Sequence, residues 1–162
     1  MTQFDLIYRE NYKRMYSIAK KMVNDRDVAC DIIQDVFVYY YEKLQAGHNI
    51  EHHRNWLLRA TINKCIGYLT AQKEVVRLDN ITLEEERHDD TLDVKYPETN
   101  IKNALRQLSK EEMQLVLLHS DGYSYKEISA ITGIKFTSIG KTLSRALKKL
   151  KDILTKMDYE KN

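Results

Sequence analysis

Between Tyr123 and Leu150 the chain is laid out as two helices set across a glycine turn. Ser124 and Glu127 have the spacing of a capping box, in which each side chain satisfies a free backbone N–H of the other residue. Gly133 then falls where a helix ends in the left-handed region that glycine enters at little cost. The longer helix that follows carries an apolar stripe of Ile139, Leu143, Ala146, Leu150, Ile153 and Leu154. On its opposite side lie Thr137, Lys141, Ser144, Arg145 and Lys148, with Ser138 and Thr142 in the same turns. A basic helix face alone is more often a solvated surface. A short helix and tight turn in front of it make the pattern of a helix-turn-helix, whose second helix enters the DNA major groove. Lysine and arginine there neutralise phosphates or donate to guanine edges, and hydroxyls reach either.

Helices should account for the rest of the chain as well. One proline, Pro97, and five glycines in 162 residues argue against a turn-rich β architecture. Phe4, Ile7, Tyr8, Met15, Ile18, Ala19 and Met22 recur at helical spacing and predict a helix over residues 4–23, broken by Asn24-Asp25. A second is expected over 26–46, with Ala29, Ile32, Ile33, Val36, Phe37, Tyr40 and Leu44 on one face and Gly47-His48-Asn49 at its end. A third is expected over 52–73, with Leu58, Thr61, Ile62, Cys65 and Leu69 inward. Three such helices close a small bundle. Residues 79–98 lose the periodicity: Glu84-Glu85-Glu86 and Asp89-Asp90 repel one another and Pro97 closes the stretch, which reads as a flexible linker. Helices resume from 99, with a second capping box at Ser109 and Glu112 and a helix-ending glycine at Gly122. The expected fold is all-α: a three-helix domain over 1–78, an acidic linker over 79–98, and a domain of four short-to-medium helices over 99–162 that contains the helix-turn-helix.

The formal net charge of +2 conceals a segregation. Residues 1–78 hold 12 basic and 9 acidic side chains, residues 79–98 hold 2 and 8, and residues 99–162 hold 12 and 7. Two mildly basic lobes flank an acidic connector, so both lobes suit a polyanion. Along the second helix Asp31, Gln34 and Asp35 share the face opposite the core, with the apolar Val38 beside Gln34. An apolar residue among carboxylates on an outward face suggests a partner surface rather than plain hydration. Along the third, Trp56, Arg59, Asn63 and Gly67 face away from the core, with Ala60 and Lys64 at the edge. Trp56 either packs under the loop at 47–53 or offers its ring to an unpaired base, with Arg59 and Lys64 placed for phosphates.

Other classes find little support. Two cysteines, Cys30 and Cys65, make no disulfide framework and point to a reducing compartment. No apolar run approaches the ~18 residues of a membrane span, and no secretory signal layout opens the chain. A cytoplasmic protein without membrane insertion is expected. His48, His52 and His53 with the two cysteines lack metal-ligand spacing, and no glycine-rich phosphate loop, H-E-x-x-H or nucleophile elbow occurs. No metal, cofactor or catalytic residue is assigned, and an enzyme is not expected.

These segments together resemble the extracytoplasmic-function sigma factors of bacterial RNA polymerase, over almost the whole chain. Phe4-Asp5-Leu6-Ile7-Tyr8, Asp31-Ile32-Ile33-Gln34-Asp35-Val36-Phe37 and Asn55-Trp56-Leu57-Leu58-Arg59 followed by Asn63 are similar to the family's second conserved region. Leu108-Ser109 before Glu111-Glu112, with the helix-turn-helix, is similar to its fourth. The resemblance implies that Asp31, Gln34 and Asp35, with Val38 beside them, contact the clamp of the polymerase's largest subunit. It implies that Trp56, Arg59, Asn63 and Lys64 engage the minus-ten promoter element, and that the loop with His48 and Asn49 reads a flipped-out base. Thr137, Ser138, Lys141, Thr142, Ser144, Arg145 and Lys148 would bind the minus-thirty-five element as duplex. The outer surface of the fourth-region helices would sit on the flap of the second-largest subunit, the acidic connector would thread the RNA exit path, and an anti-sigma factor would hold the protein in reserve. Three positions depart from the family pattern: Gly140 and Leu147 stand where many relatives carry basic residues, and Ser129 replaces the usual alanine between the two helices of the motif. The alternative at this stage is a stand-alone two-domain helix-turn-helix regulator, which has no need of the Asp31–Asp35 face.

Overall fold

The computed structural model describes the backbone of residues 1–78 and 96–161 and the side chains of 1–71 and 100–158. The described residues form seven helices and no strand: α1 (Gln3–Val23), α2 (Arg26–Gln45), α3 (His53–Leu78), α4 (Tyr96–Arg106), α5 (Lys110–Ser120), α6 (Tyr125–Thr132) and α7 (Phe136–Lys161). Most of the expected linker, residues 79–95, lies outside the described residues. Helix α4 begins at Tyr96, ahead of the expected boundary at 99, and α3 runs on past 73 to Leu78.

Local chemistry fixes where these helices start and stop. Asn24 takes up the left-handed conformation (φ 51°) to end α1, and the Asp25 side chain accepts from the Asp27 and Val28 N–H groups to begin α2. Gly47, Gly122 and Gly133 all have positive φ, and Gly133 is the left-handed cap of α6. Both expected capping boxes form. A third, Thr2 with Asp5, opens α1; its shorter acid hid it from the Ser-x-x-Glu pattern.

Helices α1, α2 and α3 pack on one another, and α4, α5 and α6 pack around α7. In the first bundle Met15, Met22, Ile33, Tyr40, Leu57, Leu58, Ile62 and Leu69 are fully buried. Each such side chain contributes about 1.5–3 kcal/mol relative to its exposed state. Tyr8, expected inward, is instead 40% exposed, with its ring 4.6 Å from that of Phe37. The second bundle buries Leu115, Leu118, Ile128, Ile131, Ile139, Leu143 and Ala146, while Leu150 and Ile153 pack at its edge. Three buried side chains are satisfied within their own helices: the Asn11 amide donates to the Ile7 carbonyl (2.8 Å), the Thr61 hydroxyl to the Leu57 carbonyl (2.7 Å) and the Thr132 hydroxyl to the Ile128 carbonyl (2.7 Å).

Glu112 ties the start of α5 to α7. Its carboxylate accepts from the Ser109 N–H at 2.8 Å and from Lys149 Nζ at 3.3 Å. The Ser109 backbone bond foremost, helped by the Ser109 hydroxyl and Lys149, holds this carboxyl below the ordinary glutamate range against an opposing push from burial. A depressed folded-state pKa contributes stability that is full above the unfolded value and lost as pH falls through the folded one. Glu112→Gln should therefore lower stability by roughly 0.5–1 kcal/mol at neutral pH. Thermal unfolding followed by circular dichroism should show the two proteins converging once the pH drops below the carboxylate range. A difference that persists in acid would place the effect in packing instead.

Candidate nucleic-acid interface

Burial of one side of α3 leaves the other side outward. Leu57, Leu58, Thr61, Ile62, Cys65, Ile66 and Leu69 face the bundle, and burial pushes the Cys65 thiol up to about 12. The residues between them, Trp56, Arg59, Ala60, Asn63, Lys64 and Gly67, line a groove of about 880 Å³ between α3 and α2. All four minus-ten candidates on α3 thus share one concavity.

Helix α2 supplies its other wall. Asp35, Tyr39 and Lys43 follow one another at helical spacing along that side. The Tyr39 ring stacks on Trp56 with centroids 5.7 Å apart and planes 22° from parallel, and Lys43 Nζ sits 5.3 Å from the centroid of Tyr39. Trp56 also leans on Tyr40, 5.5 Å away. Tyr39 and Lys43 were not among the sequence candidates; their place in the Asp35 stripe was the signal available. Two stacked rings flanked by Lys43, Arg59 and Lys64 make a surface able to hold unpaired bases by their faces and the strand by its phosphates.

Asp31, Gln34, Asp35 and Val38 are all exposed on α2, Val38 at 53%. Three of them divide between two grooves, and Asp31 lies outside both. Asp35 borders the α2–α3 groove and pairs with Lys64 (3.7 Å), so a carboxylate of one candidate set touches a cation of the other. Gln34 and Val38 border a second groove of about 540 Å³ against α1, walled by Phe4, Tyr8, Tyr12, Phe37 and Tyr41. His48 and Asn49 are exposed in the loop after α2, where the His48 N–H is held by the Lys43 carbonyl (3.1 Å).

The turn between α6 and α7 is fixed by its own side chains. Thr132 Oγ1 donates to the Ile128 carbonyl (2.7 Å) and accepts from the Ile134 N–H (3.1 Å). The Ser129 hydroxyl donates to the Ile134 carbonyl at 2.7 Å, a bond that alanine could not make. Beyond the turn, Thr137, Ser138, Lys141, Ser144, Arg145 and Lys148 are exposed along α7. Thr142 is half-buried beside the inward stripe and stands apart from that face. Leu147, 39% exposed, interrupts the cations.

The two bundles meet along α3. Gln114 Nε2 of α5, itself buried, donates to Asn63 Oδ1 at 3.0 Å. A β-carbon at Gly133 would lie 3.4 Å from Arg59 Nη1, so the backbone of the turn rests against that guanidinium. Arg54 pairs with Glu127 (3.8 Å) and lies 6.0 Å from the centre of the Tyr123 ring. Burial raises the Tyr123 hydroxyl above its usual pKa, opposed by Arg54. Lys21 pairs with Asp121, and Lys102 Nζ donates to the Val23 carbonyl at the end of α1 (2.9 Å). Burial lowers the Lys102 pKa, with Arg106 adding to the shift.

A helical bundle with an aromatic and cationic groove, joined to a helix-turn-helix with an exposed basic face, is the architecture of a nucleic-acid-binding protein. Residues 7–75 match the family described as Sigma-70 region 2, and residues 98–150 match Sigma-70, region 4. The chain belongs to the sigma-70 family, as an extracytoplasmic-function sigma factor that directs transcription initiation. It is 27% identical to the RNA polymerase sigma factor SigV of Bacillus subtilis (strain 168) over 149 residues, spanning 88% of this chain and 86% of that one. It is 24% identical to the ECF RNA polymerase sigma factor SigE of Mycolicibacterium smegmatis over 173 residues, spanning 99% of this chain and 65% of the longer relative. Two solved structures share the fold. One is the sigma factor RpoE in complex with the anti-sigma factor NepR from Bartonella quintana (TM-score 0.57, 20% identity, 96% of this chain and 98% of that one). The other is CnrH in complex with the cytosolic domain of CnrY (TM-score 0.62, 18% identity, 94% and 87%). The stand-alone regulator is thereby set aside. Among the described residues no helix is long and apolar enough to cross a membrane.

The exposed α7 cations lead to a salt-dependence test. For each phosphate that a variant leaves unneutralised, the log–log salt slope of binding should become shallower by about 0.9. Arg145→Ala and Lys148→Ala should each show that change when the core-bound chain is titrated, by fluorescence anisotropy, on a duplex carrying the upstream element. An unaltered slope would remove these residues from the phosphate-binding set.

Proposed function

We propose that the chain docks on RNA polymerase core through the outward face of α2 and reads the two promoter elements with separate surfaces. Asp31, Gln34, Asp35 and Val38 meet the clamp of the largest subunit, and the second bundle sits on the flap of the second-largest. Thr137, Ser138, Lys141, Ser144, Arg145 and Lys148 hold the minus-thirty-five element as duplex, with Thr142 supporting them from the edge of the face. Trp56, Arg59, Asn63 and Lys64, joined by Tyr39, hold the minus-ten strand once it is unpaired, and His48 and Asn49 line the pocket for a flipped base. The observation that carries the reading is the shared groove of α2 and α3, with its stacked Tyr39 and Trp56 rings between cations.

Opening a duplex costs a few kcal/mol for each base unstacked. Stacking on an aromatic side chain returns about 1–3 kcal/mol per base, and cations along the groove hold the backbone of the captured strand. Strand opening on these terms runs on binding energy and asks no covalent chemistry of the chain. The protein acts in the cytoplasm, where the polymerase is, and is held in reserve by an anti-sigma factor.

Charge reversal on α2 tests the docking face. Asp31→Lys combined with Asp35→Lys should abolish co-purification with core polymerase and promoter-dependent run-off transcription, with the helical circular dichroism signal retained. Because Asp35 also pairs with Lys64, Asp31→Lys alone gives the cleaner arm and should weaken both readouts at least tenfold. Undiminished core binding by both variants would defeat the assignment.

A further inference from the structure

We infer that Phe136, the first residue of α7, is a specificity-determining residue: its ring packs on the C5-methyl group of a thymine in the duplex element and makes this chain prefer that base there. The inference rests on the proposed seating of α7 on the minus-thirty-five duplex. Phe136 is 56% exposed, more than any other large apolar residue among those described except Met1. The other two phenylalanines of the chain are packed together: Phe37 is buried, and Phe4 lies against it with ring centroids 6.1 Å apart. The Phe136 ring meets no other aromatic ring among the described residues. Nor does it hold down the start of its own helix. The pair that staples a helix start is here Ile134 and Ile139; Ile139 is buried, and Ile134 packs at the edge of the core. Packing within the chain therefore leaves the ring of Phe136 unclaimed.

Its position and surroundings point to a base. In a helix-turn-helix the N-terminal residues of the second helix meet base edges in the major groove. Phe136 and Thr137 open that helix, and Gly140 and Lys141 follow one turn on. A β-carbon at Gly140 would lie 3.7 Å from the exposed Tyr125 ring, so this flank of the helix is apolar where a basic side chain would reach for a guanine. Lys141, Ser144, Arg145 and Lys148 are exposed along the adjoining face. A row of cations beside the ring suits the phosphates that border a base, and it does not suit an apolar protein surface. Thymine alone among the bases of unmodified DNA carries a methyl group into the major groove, and phenylalanine meets it by apolar contact. Adenine, guanine or cytosine at the same place would set a polar edge against a ring that returns no hydrogen bond.

The test uses the core-bound chain and a fluorescein-labelled promoter duplex taken from a genomic fragment that the reconstituted enzyme transcribes. Each thymine of the upstream element is replaced in turn by deoxyuridine, which keeps the base pair and loses only the methyl group. At one such position the wild-type complex should bind roughly fourfold more weakly, the worth of one methyl group returned to water. The Phe136→Ala complex should bind the thymine and deoxyuridine duplexes alike, and Phe136→Leu, still apolar, should recover part of the preference. Lys141→Ala supplies the reference: it should weaken binding to both duplexes equally and leave the methyl preference in place. A wild-type complex indifferent to every replacement, or a Phe136→Ala complex that still prefers thymine, would overturn the inference. So would a Phe136→Ala variant that loses affinity for core itself, which would give the ring to a protein partner. If Lys141→Ala weakens binding while no methyl group matters, only the thymine contact fails. If neither variant alters binding of the upstream duplex, the seating of α7 fails with it.

Discussion

Helix α3 is dry along one side and wet along the other, and the rest of the molecule depends on that division. Leu57, Leu58, Ile62, Cys65, Ile66 and Leu69 are buried against α1 and α2, and this burial fixes the rotation of the helix about its own axis. Once that rotation is fixed, Trp56, Arg59, Asn63 and Lys64 have only the outer surface left to occupy. A turn of one residue, about 100°, would carry Trp56 and Lys64, or Arg59 and Asn63, toward the core in place of apolar side chains. Apolar burial is undirected, yet here it aims a set of polar groups.

The second bundle uses a different constraint to the same end. Its recognition helix is aimed by a turn whose backbone is pinned by Gly133 in the left-handed region and by the hydroxyls of Thr132 and Ser129 on Ile134. The departure at Ser129 from the family's usual alanine thus brings a bond rather than a gap. The departures at Gly140 and Leu147 bring no such compensation: a β-carbon at Gly140 would meet only the Tyr125 ring, 3.7 Å away, and Leu147 stays exposed among cations. The exposed face of α7 accordingly carries fewer cations than a helix basic at both positions would.

Much of this was legible in the residue pattern. The spacing of Ala29, Ile32, Ile33, Val36, Phe37 and Tyr40 placed the inner face of α2, and Ser109, Ser124, Gly122 and Gly133 placed helix ends, because caps and apolar periods are local signals. The outward set on α3 was legible for the same reason. What escaped depends on the meeting of distant segments. Tyr39 gains its meaning only when α3 brings Trp56 alongside, and Asp35 becomes the neighbour of Lys64 only in three dimensions. The contact of Gln114 with Asn63 joins residues that share no local pattern at all. Tyr8 is exposed with its ring resting against that of the buried Phe37, a contact between two helices that the spacing along α1 alone does not show.

On the proposed function, this chain and core polymerase together open promoter DNA that neither opens alone. Permanganate footprinting, which marks unpaired thymines, tests that most directly on a genomic fragment transcribed by the reconstituted enzyme. Reactive thymines should appear at the minus-ten element only when both components are present, and should fade when Trp56 is replaced by alanine. Thymines that stay unreactive with both components, on a fragment the chain alone protects as duplex, would contradict the account.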